Sequence, residues 1–173
     1  MNAKWNILLS APYMIPFADR FIPQLEAEGC KVIVPRVNER LEEHELLNLV
    51  GDIDGTICGD DRYTRRVMNA AHRLKIISKW GTGIDSIDQA AAAEMGIRIG
   101  NTPNAFTVPV ADSVFAYLLS FARQTPWMDR HMKSGHWEKI AGRSLSEGTL
   151  GIVGLGNIGR AVAQRAAAFG MRV

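Results

Sequence analysis

Residues 149–160, Thr-Leu-Gly-Ile-Val-Gly-Leu-Gly-Asn-Ile-Gly-Arg, constrain this chain more than any other stretch. Residues 149–153 form a short, apolar, β-branched run that predicts a buried strand. Gly154, Leu155, Gly156, Asn157, Ile158 and Gly159 follow as G-x-G-x-x-G. Residues 160–169 predict a helix with Ile158, Val162, Ala166 and Phe169 along one face and Gly170 as its C-cap. Residues 171–173 open a second strand. The spacing carries chemistry. Gly154 permits the tight turn, Gly156 lets a pyrophosphate approach the backbone, and Gly159 lets helix and strand pack closely. The first amides of a helix have no intrahelical partner and sit at the positive end of its dipole, which suits an anion. The preceding strand and the following apolar helix supply the context that a bare glycine motif lacks. The expectation is dinucleotide binding; the competing reading is a tight strand-to-helix turn in some other α/β protein.

The fingerprint expects an acidic residue about 20 positions on, at the end of the second strand. The chain stops at Val173, at or just before that place. The residue that would choose between NAD and NADP is therefore not readable here, which leaves NADP not excluded, and a dinucleotide fold needs strands and helices beyond those read here.

Charge and composition exclude other classes. Twenty basic residues against 18 acidic ones leave a formal charge of only +2, with no basic footprint for nucleic acid. No apolar run approaches a membrane span. The N-terminus lacks the apolar core and cleavage site of a signal peptide, which leads to a cytoplasmic expectation. Cys30 and Cys58 are expected as free, buried thiols. No metal-ligand spacing is present, so no metal site is expected.

Upstream of the glycine motif the chain alternates. Strands are expected at 7–10, 31–35, within 52–58, at 74–80 and at 97–99. Helices are expected at 17–28, 42–50, 64–71 and 86–95, with Thr64 as an N-cap and Gly29 and Gly96 as terminators. The alternation predicts an α/β fold with a parallel sheet covered on both faces. Asn101, Pro103, Asn104 and Pro109 break the pattern as a linker, which divides the chain into residues 1–100 and 101–173. Residues 110–124 then predict a helix apolar nearly all round, expected to be buried on more than one side. Residues 127–134 predict a second short helix.

Residues 77–85 (Ile-Ser-Lys-Trp-Gly-Thr-Gly-Ile-Asp), 101–104 (Asn-Thr-Pro-Asn), 110–114 (Val-Ala-Asp-Ser-Val) and the glycine turn with 167–173 appear in one order and spacing. Together they resemble the D-isomer-specific 2-hydroxyacid dehydrogenases of the phosphoglycerate dehydrogenase type, from the first strand to the last residue. The resemblance implies a flavodoxin-like substrate domain followed by the first β-α-β part of a Rossmann dinucleotide-binding domain, with the active site in the cleft between them. It implies that residues 154–159 hold the NAD pyrophosphate. It implies that Gly81, Thr82 and Gly83 offer amides to the substrate carboxylate; glycines there would also permit an anion-binding nest. Val108 and Asp112 are implied to approach the nicotinamide. The partners implied are a small 2-hydroxy or 2-keto acid and a second copy of the chain.

Two departures qualify what is implied. Many members carry an arginine and a serine after the third strand, where this chain has Cys58-Gly-Asp-Asp-Arg62; Asp60 and Asp61 disfavour a phosphate there. The family's catalytic arginine, glutamate and histidine lie downstream of Val173, so no catalytic residue is assigned and this chain alone is expected to be inactive. His131 and His136 read better as surface or dimer-contact residues than as a base, while Lys79 is a minor candidate for touching a carboxylate. The alternative expectation is a dinucleotide-sensing binding module, corepressor-like and without catalysis.

Overall fold

A computed structural model describes residues 4–173. The chain divides into two compact units, Met1–Pro103 and Asn104–Val173.

The first unit is a five-stranded, wholly parallel sheet. Its strands are β1 (Trp5–Leu9), β2 (Cys30–Ile33), β3 (Gly55–Cys58), β4 (Ile76–Lys79) and β5 (Arg98–Gly100), in the spatial order β2-β1-β3-β4-β5. This is the flavodoxin-like order, whose switch point falls between β1 and β3. Register explains the layering. Leu8 pairs with Thr56, Thr56 with Ile77 and Ile77 with Ile99, so these side chains share one face. Leu8 and Ile77 are fully buried there with Leu46, Val50, Tyr63 and Val67. One step along, Leu9 and Ile57 point to the other face, into a smaller cluster with Ala11, Met14 and Ala18.

The helices of this unit begin and end where their capping chemistry sits. Helix α2 (Glu43–Leu47) opens on a capping box between Glu42 and Glu45. Helix α3 (Arg65–Ala70) opens on Thr64, whose hydroxyl accepts from the Val67 amide at 3.3 Å. Helix α4 (Gln89–Glu94) opens on Asp88, which accepts from the Ala91 amide at 2.9 Å. Gly29 and Gly96 follow their helices with φ of 81° and 69°, which no side chain favours.

The single helix expected over 17–28 is instead a 3₁₀ segment, Ile15–Arg20, and a short α1, Ile22–Ala27. Pro23 explains the break: it has no amide to donate, and its ring collides with the carbonyl four residues back.

The second unit packs α5 (Thr107–Arg123) against α7 (Asn157–Ala168), with α6 (Thr125–Lys133) and a 3₁₀ turn, Leu145–Glu147, beside them. Its core is Ala111, Phe115, Val162 and Ala166, with the Phe115 and Phe169 rings stacked at 5.1 Å. Helix α5 starts three residues before the expected position. Pro109 lies in its first turn, where no amide is needed, so the proline does not delay the helix. The expectation that α5 is buried on more than one side is not met within this chain, since Tyr117 and Phe121 are 68% and 67% exposed. The strand expected at 149–153 is reduced to one parallel bridge, Thr149 to Arg172, closed by the Leu150 amide on the Arg172 carbonyl at 2.7 Å.

Candidate functional site

In the first unit the carboxyl ends of β1, β3 and β4 bring three loops to one edge of the sheet, the edge at which open α/β sheets bind ligands. Ser10 follows β1, Gly59 to Asp61 follow β3, and Lys79 to Gly83 lie at and beyond the end of β4. The loops are closely fitted. A Cβ on Gly59 would stand 2.7 Å from Pro12 Cδ, so only glycine fits there. The Trp80 amide donates to the Cys58 carbonyl at 2.8 Å and ties the β4 loop to β3.

Gly81, Thr82 and Gly83 emerge from β4 as one bend. The Gly81 amide turns back onto the Lys79 carbonyl at 2.9 Å, and the Gly81 carbonyl accepts from the Thr102 amide at 2.9 Å. The Thr82 hydroxyl donates to the Thr102 carbonyl at 3.0 Å, while Asn101 Nδ2 donates to the Thr82 carbonyl at 2.7 Å. Asn101 and Thr102 thus brace the loop. Neither Gly81 nor Gly83 has a positive φ, so the alternating backbone of an anion nest is not formed. The Thr82 and Gly83 amides are the two donors of this loop with no hydrogen-bond partner among the described residues.

Lys79 is buried, its side chain 4% exposed, and its ammonium donates to the Gly59 carbonyl at 2.6 Å and to the Asp60 carboxylate. Asp60 is exposed, whereas Asp61 is fully buried and accepts from Ser10 Oγ at 2.5 Å and from the Leu41 amide at 2.6 Å. The two aspartates therefore do different things, and only Asp60 presents charge to solvent. Burial raises the Asp61 carboxyl above the usual carboxylate value, opposed by its hydrogen bonds from Ser10 and the backbone. Burial, helped by the Asp61 charge, pushes the Cys58 thiol up to about 12, which makes it inert as a nucleophile. Burial likewise raises the Tyr63 phenol, which donates to Thr56 Oγ1 at 2.9 Å as a core group.

In the second unit, residues 154–159 form an exposed turn that runs into α7. Gly154 has φ of 92° and makes the turn. Gly156 is the N-cap, and a Cβ on it would meet open space. A Cβ on Gly159 would collide with the Gly154 carbonyl oxygen. The helix starts at Asn157, three residues before the expected Arg160, because the last half of the glycine motif is itself the first helical turn. No side chain caps this end, and the first backbone bond within it runs from the Arg160 amide to the Gly156 carbonyl at 2.9 Å. The amides of Asn157, Ile158 and Gly159 consequently have no intrahelical partner. Bare amides at a helix start suit an anion, and the space at the Gly156 Cβ position is open.

Reading the sequence missed two supports of this turn. Asn104, in the left-handed conformation at φ 65°, accepts from Asn157 Nδ2. Arg160 donates to the Leu155 carbonyl at 3.1 Å and to the Asn157 side-chain oxygen. The signal available was the pair of asparagines in a proline-rich linker. Val108 lies exposed in the first turn of α5. Asp112 accepts from Arg165 at 2.7 and 2.9 Å, which ties α5 to α7. His131 pairs with Glu138 at 3.0 Å on the surface. Among the described residues no group of three or more His, Cys, Asp or Glu forms a metal site, and no helix is long and apolar enough to cross a membrane.

Comparison with known proteins places these loops in context. The family described as D-isomer specific 2-hydroxyacid dehydrogenase, catalytic domain, matches residues 7–169. The D-3-phosphoglycerate dehydrogenase of Rattus norvegicus is 39% identical over 137 residues, covering 78% of this chain and 26% of that protein. A solved structure of a Thermus thermophilus protein superposes with a TM-score of 0.85 at 36% identity, over 97% of this chain and 54% of the other. The NAD⁺-bound 3-phosphoglycerate dehydrogenase of Entamoeba histolytica superposes with a TM-score of 0.75 at 25% identity, over 98% of this chain and 53% of that one. The chain thus spans about half the length, or less, of the relatives it matches.

Proposed function

Because this chain belongs to the D-isomer-specific 2-hydroxyacid dehydrogenases, we propose that it is part of an NAD-dependent oxidoreductase that interconverts small 2-hydroxy and 2-keto acids. The observation that carries the reading is the uncapped amino end of α7 behind Gly154, Gly156 and Gly159, where a pyrophosphate meets bare amides. Gly156, Asn157, Ile158 and Gly159 would hold the dinucleotide by their backbone, with Gly154 and Leu155 shaping the turn and Val108 bordering the site. When bound, NAD supplies the hydride acceptor. Asp112 serves through Arg165, by holding α5 on α7. In the first unit, the Thr82 and Gly83 amides receive the substrate carboxylate, and Gly81 keeps the bend close to the Lys79 stem. The chain works as a homodimer and in the cytoplasm, where two unpaired thiols are at home. Residues 1–173 alone do not turn over. Turnover of the longer protein separates this reading from a dinucleotide-sensing module, which binds without catalysis.

The test is calorimetric titration of NADH into the chain and into its Gly156→Val variant. Position 156 has open space at Cβ and an ordinary φ of −74°, so the variant folds as the parent does. The expected result is saturable binding by the parent and a loss of at least about tenfold in the variant, equivalent to roughly 1.4 kcal/mol. Equal binding by both proteins would remove the glycine turn as the dinucleotide site.

A further inference from the structure

We propose that Asp60 sets the substrate range of the carboxylate loop. Its carboxylate occupies the buried ammonium of Lys79, so that the site accepts 2-hydroxy and 2-keto acids whose far end carries no second anion. The proposal rests on the reading of Gly81, Thr82 and Gly83 given above.

The ion pair is one-sided. Lys79 is 4% exposed and Asp60 is 78% exposed. The lysine is fixed by the sheet edge and by its bond to the Gly59 carbonyl, whereas its acidic partner stands in solvent. A buried ammonium deprived of its counter-charge is costly, so an anion that displaced Asp60 would satisfy the same need. That anion would arrive beside the substrate loop, because Lys79 Cε lies 3.1 Å from the Cβ position of Gly81. As the protein stands, Asp60 already fills this place. A phosphate or second carboxylate on the substrate would have to expel it and then remain beside a like charge. The fit of Gly59 against Pro12 leaves no room at position 59 for a side chain that could supply another cation. Buried Asp61 adds negative charge behind the loop without competing for Lys79, since its oxygens are taken by Ser10 and Leu41. Next to the lysine, Trp80 is 41% exposed, with the Phe21 ring edge-on at 6.3 Å. An uncharged far end finds an apolar surface there.

The experiment follows backbone-amide NMR shifts of the chain, of Asp60→Asn and of the double variant Asp60→Asn/Lys79→Met during titration with two probes. Oxamate is a monoanionic analogue of a small 2-keto acid; 3-phosphoglycerate carries a second anionic group. Asparagine at position 60 keeps an oxygen that accepts from the Lys79 ammonium, so folding is retained, and resonances remote from the loop verify this. Oxamate should shift the Thr82 and Gly83 amides to the same degree in the parent and in Asp60→Asn. The affinity for 3-phosphoglycerate should rise at least about tenfold in Asp60→Asn, the factor that one charge-assisted hydrogen bond supports. The double variant should lose that gain. If oxamate binds as expected but Asp60→Asn gains nothing for 3-phosphoglycerate, or keeps its gain without Lys79, the gating role is overturned while the carboxylate loop stands. If oxamate leaves Thr82 and Gly83 unshifted in every protein, the loop reading itself falls and the gating role with it.

Discussion

Asp61 illustrates how the neighbours of one carboxyl decide its role. It lies beside Asp60 in sequence, yet it is sealed under the sheet edge and bonded to Ser10 and Leu41. Burial raises its folded pKa, and the sign of the consequence follows. Below the unfolded value of about 3.9 the group is protonated in both states and its charge costs nothing. As the pH rises through the raised folded value, the unfolded chain has already released its proton and the native state must bury a charge, so stability falls. Asp61→Asn removes that dependence. Urea midpoints measured from acid to neutral pH should show the parent losing stability relative to Asp61→Asn as the pH climbs through this window. A difference between the two that stays flat, or grows in the parent's favour, would contradict the assignment. Glu94, lowered by its bond to Arg65, moves the parent in the opposite sense, but it is common to both proteins and cancels in the comparison.

At the scale of elements, glycine 159 joins the helix to the strand before it. Gly159→Ala drives a methyl group into the Gly154 carbonyl oxygen, with no flexible side chain to yield. The turn must open, at a cost of about 1–3 kcal/mol, and NADH binding should fall with it. Chemical denaturation of the second unit and the calorimetric titration should therefore move together, unlike in Gly156→Val, where binding alone is lost. The element pattern was largely legible in the sequence. The central strands β1, β3 and β4 show as short, largely apolar stretches closed by Gly or Pro, because the sheet is covered on both faces there, whereas the edge strands β2 and β5 carry the exposed Lys31 and Arg98. Thr64 and Gly96 announced their helix ends through local chemistry. Proline misled twice, in opposite directions: Pro23 broke a helix that periodicity joined, and Pro109 was read as a barrier where it lies harmlessly in a first turn. The glycine turn, as a piece of backbone, was legible because its residues are consecutive. The Asp60–Lys79 pair and the Asn104–Asn157 link were not, since each joins residues that only the fold makes neighbours.

At the scale of the whole molecule, the two units differ in how well they bury their own apolar surface. The first closes a broad core around Leu8, Leu46, Tyr63 and Ile77. The second depends on Ala111, Phe115, Val162 and Ala166, and units of about 60–70 residues have little stability to spare. Along α5, Tyr117 and Phe121 stand one turn apart and two-thirds exposed, with Trp127 at 5.9 Å from Phe121. Phe121 also lines a cavity of about 630 Å³, together with Leu118, Ala122, Leu145, Leu150 and Met171 among others. A contiguous apolar surface of this kind favours association. Light scattering coupled to size exclusion should therefore give a mass of twice the 19.1 kDa chain. Replacing Tyr117 and Phe121 together by serine should shift the population to monomer and leave the melting of the first unit unchanged, because neither residue contributes to its core. A parent protein that elutes as monomer across a concentration series would overturn the homodimer reading and mean that the exposed face of α5 is tolerated in water.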